Sequence, residues 1–482
     1  MKQYVLILFC CGLLAAGCRS TDWEKMRRED TTAYHRDLAA DTQALLTNYP
    51  AGLTLSNCVT IAMNRNLQEL SGRLAEKMAA LNQKAAFSAF LPQIQLTYSA
   101  LSLSKPPDTR FENNVISFRD QRVQDSSVQI LQPIFAPSAW LLYRSAKRNT
   151  EMTGLLHERT RQIVELSIAN LFYECSAIDD EILRLEKESA AARQLLKEAQ
   201  ANLAVGYATT SEVAQALAGS LERERQTGFA RREAELTRSR LLQAMNLWPL
   251  APVNLKLDSL PDSEDRRYTI RTPGLEPRQL VAPDFSSEPV ENWMLHALIS
   301  RPEMKVQDRS IALRRNEVLR SLALFIPNLV GFANYYQTSD SYTVNKQYWG
   351  TGLQASLSTF IGFRDIAAYF KAREDVKAGY LEREDTAMMI LLQVLEAHKN
   401  LKDARESLEV ATAVSTAADQ TLADISSQYR AGAIEFSRVL QAQAASSGAA
   451  ARRHTAAYAN SMALYAFRNV LGGNIEVCPY PE

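Results

Sequence analysis

The chain has 482 residues, enough for about three ordinary domains. Only 18 Gly and 17 Pro serve that length, while Ala, Leu, Glu, Gln and Arg run through most of it; this is the composition of long helices rather than of compact globules. Lys plus Arg equals Asp plus Glu at 54 each, so no basic field favours nucleic acid, and no run of about 18 apolar residues offers a transmembrane helix.

The first residues read as an address. Lys2 gives a positive start, Tyr4 to Ala16 is apolar, and Leu14-Ala15-Ala16-Gly17-Cys18 closes with small residues before a cysteine. This is the layout of a secretory signal over residues 1–17. Its end resembles the bacterial lipobox, whose cysteine becomes the lipid-bearing first residue of the mature protein. An ordinary signal peptide with a chance cysteine has the same start. In lipoproteins an Asp after that cysteine implies inner-membrane retention; Arg19 implies the outer membrane. Residues 18–53 are polar and mixed, with Pro50 and Gly52, and read as a lipid-anchored extended leader. Beyond Cys10, Cys11 and Cys18, the cysteines Cys58, Cys175 and Cys478 match no zinc or redox spacing. Cys58 and Cys478 could pair in an oxidising compartment; buried free thiols fit equally well.

Residues 54–248 form a first structural copy. A helix is predicted from about Leu55 to Phe90, stopped by Pro92. Gln93 to Ala100 then alternates polar and apolar, the period of a strand, and the phase slip at Ala100-Leu101 predicts a bulge. Lys105 to Arg119 reads as a polar loop, and a second strand from about Val123 to Gln132 completes a hairpin over about 93–133. A helix follows from about Ser138 to Ala204, with Leu171, Ile178, Ile182, Leu185, Ala192, Leu196, Ala199 and Leu203 in an a/d seam. Gly206 ends it, Thr210 or Ser211 can cap the next helix, and that helix runs to about Leu247. Residues 249–290, rich in proline, read as an irregular connector with room for one short helix.

Residues 291–473 repeat the order, and 474–482 form a tail. Phe90-Leu91-Pro92-Gln93-Ile94 returns as Phe325-Ile326-Pro327-Asn328-Leu329, and the Val205-Gly206 turn returns at Ala431-Gly432. A helix from about Glu291 to Ile326 precedes a hairpin over about 328–360, in which Trp349, Thr351, Leu353, Ala355 and Leu357 share one face. A helix from about Arg364 to Tyr429 carries a seam through Leu401, Leu408, Ala411, Ala418, Leu422, Ile425 and Tyr429. Gly432 ends it, and a final helix reaches Leu471. The fold class is therefore mainly α with a membrane β-barrel part, a duplicated plan of helix, β-hairpin, long helix and helix.

Each copy has a strand hairpin at one end and a helical hairpin at the other. Tyr335, Tyr336, Tyr342, Tyr348 and Trp349 cluster near strand ends, as aromatic girdles do. Four strands cannot close a barrel, and an open edge cannot sit in lipid. Strands in a membrane therefore require several chains to share one barrel, and three chains supply twelve. Two hairpins packed on a soluble core, and a plain coiled-coil spacer, are the competing arrangements.

The duplicated Phe-x-Pro strand start, the Gly206 and Gly432 turns followed by Ser211-Glu212-Val213 and Ser437-Arg438-Val439, the lipobox, and Arg301-Pro302-Glu303-Met304 together resemble the TolC-like outer-membrane efflux proteins, lipoprotein branch. The weaker Asn64-Arg65-Asn66-Leu67 belongs to the same set, and the resemblance covers about residues 53–475. It implies a homotrimer, with a twelve-stranded barrel in the outer membrane continuous with a twelve-helix periplasmic tunnel. It implies lipid attachment at Cys18 and docking of a periplasmic adaptor and inner-membrane pump at Val205, Gly206, Tyr207, Ala431, Gly432 and Ala433. In the family, aspartates after the second turn ring a closed aperture; here those positions hold Arg438 and Gln441, with Glu212 and Glu435 as possible gate carboxylates.

No catalytic site, metal site or cofactor is expected. His35, His157, His296, His398 and His454 are scattered, and no Cys/His cluster, phosphate loop or nucleophile elbow occurs. The expected function is a passive outer-membrane exit channel of a tripartite efflux system. The duct of a type I protein secretion system and a non-pore lipid-anchored coiled-coil scaffold are the alternatives.

Overall fold

Local breakers cut this chain into more elements than its periodicity suggests. The computed structural model describes residues 23–111, 114–206, 209–256, 267–270, 278–281, 288–357, 362–431, 433–434, 436–472 and 475–477. In chain order these hold α1 (Trp23–Thr47), α2 (Leu55–Arg65), α3 (Leu67–Phe87), β1 (Gln93–Ser102), β2 (Asp108–Phe111), β3 (Asn114–Ser117), β4 (Arg122–Phe135), α4 (Pro137–Ala204), α5 (Thr210–Ala244), β5 (Arg267–Ile270) and β6 (Arg278–Val281). The second half adds α6 (Val290–Ser300), α7 (Pro302–Ala323), β7 (Asn328–Thr338), β8 (Gln347–Ser356), α8 (Arg364–Arg430), α9 (Phe436–Val470) and β9 (Ile475–Val477).

The chain divides into two compact units. The first comprises residues 1–66, 164–263 and 403–465. Its core joins Leu53, Cys58 and Ile61 to Ile168, Phe172 and Tyr173 of α4, Leu241, Leu242 and Met245 at the end of α5, and Tyr458 of α9. Cys58 and Cys175 are free and buried there, and burial pushes both thiols up to about 12. Cys478, the partner considered for Cys58, lies outside the described residues. The α4 seam from Leu171 to Leu203 is half-buried or buried throughout. Tyr458 Oη donates to Asp180 at 2.7 Å and Tyr465 Oη to Glu165 at 2.5 Å, joining α9 to α4.

The leader expected to be extended is largely helical. In α1 the hydroxyls of Thr31, Thr32, Thr42 and Thr47 donate to carbonyls four residues earlier. The helix ends on tertiary contacts: the Trp248 N–H donates to Thr42 Oγ1 at 2.8 Å, His35 meets the Trp248 ring edge-on at 4.3 Å, and Leu45, Leu46 and Tyr49 pack on the core. Gly52 then takes φ +98° and forms a close crossing with Asn254, where a Cβ would sit 3.1 Å from the Asn254 carbonyl oxygen.

The predicted helix over 55–90 is two helices. Asn66 breaks it at φ −61°, ψ 131°, and its amide donates to the Ala244 carbonyl at 2.7 Å. Likewise the predicted helix over 291–326 divides at Arg301, φ −64°, ψ 134°. Pro302 forbids its predecessor the helical conformation there, the same rule that stops helices before Pro92 and Pro327.

The second unit comprises residues 67–163, 264–402 and 466–482. It holds a four-stranded antiparallel sheet in the order β1-β4-β7-β8. The bulge expected at Ala100-Leu101 does not occur; β1 and β4 pair without interruption from Gln93 opposite Leu131 to Ser102 opposite Arg122. The irregularity lies in the β4–β7 ladder between Pro133 and Phe135, where proline has no N–H to give. The expected polar loop contains the small hairpin β2–β3. Among the described residues of the connector are two strands: β6-β5-β9 form a sheet in which β9, from the tail, pairs with β5.

A buried ionic cluster secures the start of α7. Arg301, 2% exposed, donates through Nη2 and Nε to Glu303 at 2.6 and 3.2 Å and through Nη1 to Gln393 at 2.7 Å. Arg159 of α4 reaches the same carboxylate at 2.7 Å and Asn469 at 3.1 Å. Gly472 at φ +94° lies against Arg301, and a Cβ there would be 3.3 Å from the Arg301 backbone.

Candidate functional site

Period-two alternation, with the β4–β7 register shifting between Pro133 and Phe135, gives the four-stranded sheet two unlike faces. One face carries Ile94, Leu96 and Tyr98 of β1, Val128 and Ile130 of β4, Leu329, Ala333 and Tyr335 of β7, and Trp349, Leu353 and Ala355 of β8. The other is mostly polar or small, with Gln95, Thr97, Ser99, Asp125, Ser127, Gln129, Asn334, Gly350, Gly352 and Gln354, and also carries Leu131, Phe332, Tyr336 and Tyr348. In the single chain Leu96 is 78%, Trp349 75% and Leu353 70% exposed, so the apolar face is unburied. A contiguous apolar surface of this kind needs an apolar environment. At about 3.3 Å per residue, the ten residues of β1 and of β8 are long enough to cross a tilted barrel wall.

Aromatic residues flank this face at both ends. Of the aromatic residues singled out in the sequence, Tyr335 and Trp349 stand toward the loops on this face, joined by Tyr98, whereas Tyr336 and Tyr348 oppose each other on the other face. At the helical end, Phe135, Trp140, Phe325 and Phe363 are also exposed, and Phe87, Phe90 and Tyr143 pack with centroids 5.8 to 6.2 Å apart. This second girdle was missed, although Phe90 and Phe325 sit in the repeated Phe-x-Pro unit that marks it. The loops at the far end are tied together. Thr338 Oγ1 donates to Asp125 at 2.6 Å, the Ser341 N–H and hydroxyl both donate to Asp120, and the Asp120 N–H donates to Asp340.

Among the described residues of the second unit, β1 and β8 each have one sheet neighbour. Their outer backbone groups therefore face outward from the chain, a cost that lipid does not tolerate.

The turns belong to the first unit. Val205 is exposed, and Gly206 takes φ +80° with nothing within 4 Å of a Cβ position, so the backbone there is bare. Ala431 and Ala433 are exposed, and their N–H groups donate to Ser427 and Gln428 at 3.1 and 3.0 Å, closing α8. Tyr207, Gly432 and Glu435 lie outside the described residues, as does Cys18. The cap of α5 is Thr209 rather than Thr210 or Ser211. Its Oγ1 accepts from the Glu212 N–H at 3.3 Å, while the Thr209 N–H donates to Glu212 Oε2 at 2.7 Å. This reciprocal box employs the carboxylate that was a gate candidate. Arg438 and Gln441 are exposed on α9, and among the described residues no ion pair joins Arg438 to Glu212.

Residues 293–473 match the family model described as outer membrane efflux protein. No curated protein sequence matches the chain. Among solved structures, it is similar to the Campylobacter jejuni CmeC outer membrane channel, with 15% identity, TM-score 0.72 and coverage of 88% of this chain and 86% of that one. It is also similar to the Vibrio cholerae outer membrane protein VceC, at 14% identity and TM-score 0.67 over 87% of this chain and 96% of that one. The open state of the Neisseria gonorrhoeae MtrE outer membrane channel gives 14%, 0.62, 87% and 89%. At these identities the structural likeness speaks for the fold. Residues 293–473 thus match the outer membrane efflux protein family, and over most of its length the chain has the fold of these outer-membrane channels.

Proposed function

We propose that the chain is the outer-membrane exit channel of a tripartite efflux system, conducting small molecules passively from periplasm to exterior. The observation that carries this reading is the apolar sheet face flanked by two aromatic girdles and bounded by two unpaired edges. Such a sheet is stable in lipid only if identical neighbours close it, and three copies give twelve strands with the polar faces lining a water-filled bore. The α4–α5 and α8–α9 hairpins of three copies supply twelve helices for the tunnel. Repeats 54–248 and 291–473, joined through 249–290, are its two structural copies.

Acylation of Cys18 would hold the amino end at the outer membrane. The bare turns at Val205-Gly206-Tyr207 and Ala431-Gly432-Ala433 suit close contact with helix ends of an adaptor carrying the inner-membrane pump. A coiled-coil scaffold gives no account of the apolar face, and nothing favours a protein-secretion duct over efflux. Purified protein in a planar lipid bilayer is expected to give a steady ohmic conductance. Membrane-inserted protein with no conductance at any voltage overturns the reading. Replacing Arg438 by Ala tests the gate separately: opening probability should rise if that side chain takes part in closure.

A further inference from the structure

The two hairpins that the chain joins edge to edge display the junction that it lacks. β7 is the second version of β1: Asn328 follows Phe-Ile-Pro as Gln93 follows Phe-Leu-Pro, 235 positions earlier. β8 is the second version of β4, because Ser356 opposes Asn328 as Leu131 opposes Gln93. The β4–β7 ladder is thus the place where the far strand of one hairpin meets the near strand of the next. The absent ladder, β8 with β1 of another copy, joins the same two kinds of strand.

Resting on the shared-barrel reading above, we infer that β8 pairs antiparallel with β1 of the next copy in the register of the β4–β7 junction. In that junction Gln129 opposes Asn334, Ile130 opposes Ala333, Val128 opposes Tyr335 and Leu131 opposes Phe332. Exchanging each residue for its counterpart sets Gln354 opposite Ser99, Ala355 opposite Tyr98, Leu353 opposite Ala100 and Ser356 opposite Thr97 of the next copy.

Two features support this register independently of its derivation. Ala355, Tyr98, Leu353 and Ala100 all lie on the apolar face of the existing sheet, while Gln354, Ser99, Ser356 and Thr97 lie on the polar one. A slip of one residue would place Leu353 opposite a polar-face residue and break the lipid surface. In the apolar pairs a large side chain also meets a small one, Tyr98 with Ala355 and Leu353 with Ala100, which lets neighbours on one face interlock.

The test is disulfide trapping in the membrane-inserted full chain. Gln354→Cys is combined with Ser99→Cys, and in parallel with Thr97→Cys or Leu101→Cys. Within one chain β1 and β8 are separated by two strands, about 14 Å, beyond disulfide reach, so any bond between these positions joins two copies. Partners two residues off register are displaced by about 6.6 Å along the strand and exceed the reach as well. The expected result is a shift from monomer to covalent trimer on a non-reducing gel for Gln354/Ser99 and not for the displaced pairs. The second matched pair, Ser356→Cys with Thr97→Cys, should give the same trimer and guards against a fault particular to one variant. Trapping through a displaced pair, or no trapping in a protein that sediments as a trimer, overturns the register and leaves the barrel standing. A protein that sediments as a monomer with no trapping at any pair overturns the barrel itself.

Discussion

Replacing Glu303 by Gln removes the negative charge that holds two buried arginines at the start of α7. Arg301 engages both carboxylate oxygens and is almost fully enclosed, while Arg159 shares one of them. The amide keeps the shape but offers a single acceptor oxygen and turns donors toward guanidinium donors. Removing one partner of a buried pair costs about 3–5 kcal/mol. Glu303 is roughly a quarter exposed, so we place the loss at the lower end, about 3 kcal/mol or roughly 100-fold in a local opening constant. The assay is native-state hydrogen exchange in detergent, comparing the first turns of α7 and the α8 segment around Gln393 with α5 as an internal standard. Protection in α7 and α8 should fall while α5 is unchanged. Arg301→Met combined with Glu303→Met should lose less than Glu303→Gln, because no unpaired charge is left with Arg301. Unchanged protection in α7 for the single variant would refute the argument. The pH limb has a definite sign. Burial alone would raise the Glu303 pKa, but Arg301 and then Arg159 outweigh it and hold the carboxyl below its ordinary value. Its contribution is therefore present above the unfolded carboxyl pKa and is lost as pH falls through the lower folded value, so wild type should converge on the variant in acid.

Three further outcomes follow from single sites. Burial in α6 lowers the His296 pKa to about 4 against an ordinary 6.5; the neutral ring's contribution is complete above that ordinary value and fades as pH falls toward 4, by about 3 kcal/mol. His296→Gln should flatten the melting temperature between those pH values, and an unaltered profile would count against it. Gly352→Ala would place a Cβ 2.6 Å from Phe332 Cζ, so the melting temperature of the variant should fall, with recovery on adding Phe332→Leu. An unchanged melting temperature would show that the ring moves freely. Thr209→Ala should cost about 1 kcal/mol in the first turn of α5, read as faster exchange there alone.

Much of the fold is legible where the signal is local. The proline stops before Pro92 and Pro327, the glycine turn at Gly206, the alternation of Trp349, Leu353 and Ala355, and the half-buried α4 seam all follow from neighbours within a few residues. The candidate site was legible in kind: two strand hairpins with one apolar face. The second aromatic girdle was overlooked because its members straddle helix and strand ends, where no single period applies. The cap at Thr209 was misplaced by one residue.

What the sequence determined by itself is therefore the alternation of periods, their interruptions and the duplicated order, since each depends on backbone sterics and side-chain spacing along the chain. Tertiary structure alone decided that Asn66 breaks a helix by donating to Ala244, that α1 seats on Trp248, and that β9 completes a sheet with β5. It also decided the register that lays four strands into one apolar face. These depend on groups as far as about two hundred residues apart in the chain, and a hydrogen bond or ladder between such groups leaves no periodic trace in either segment.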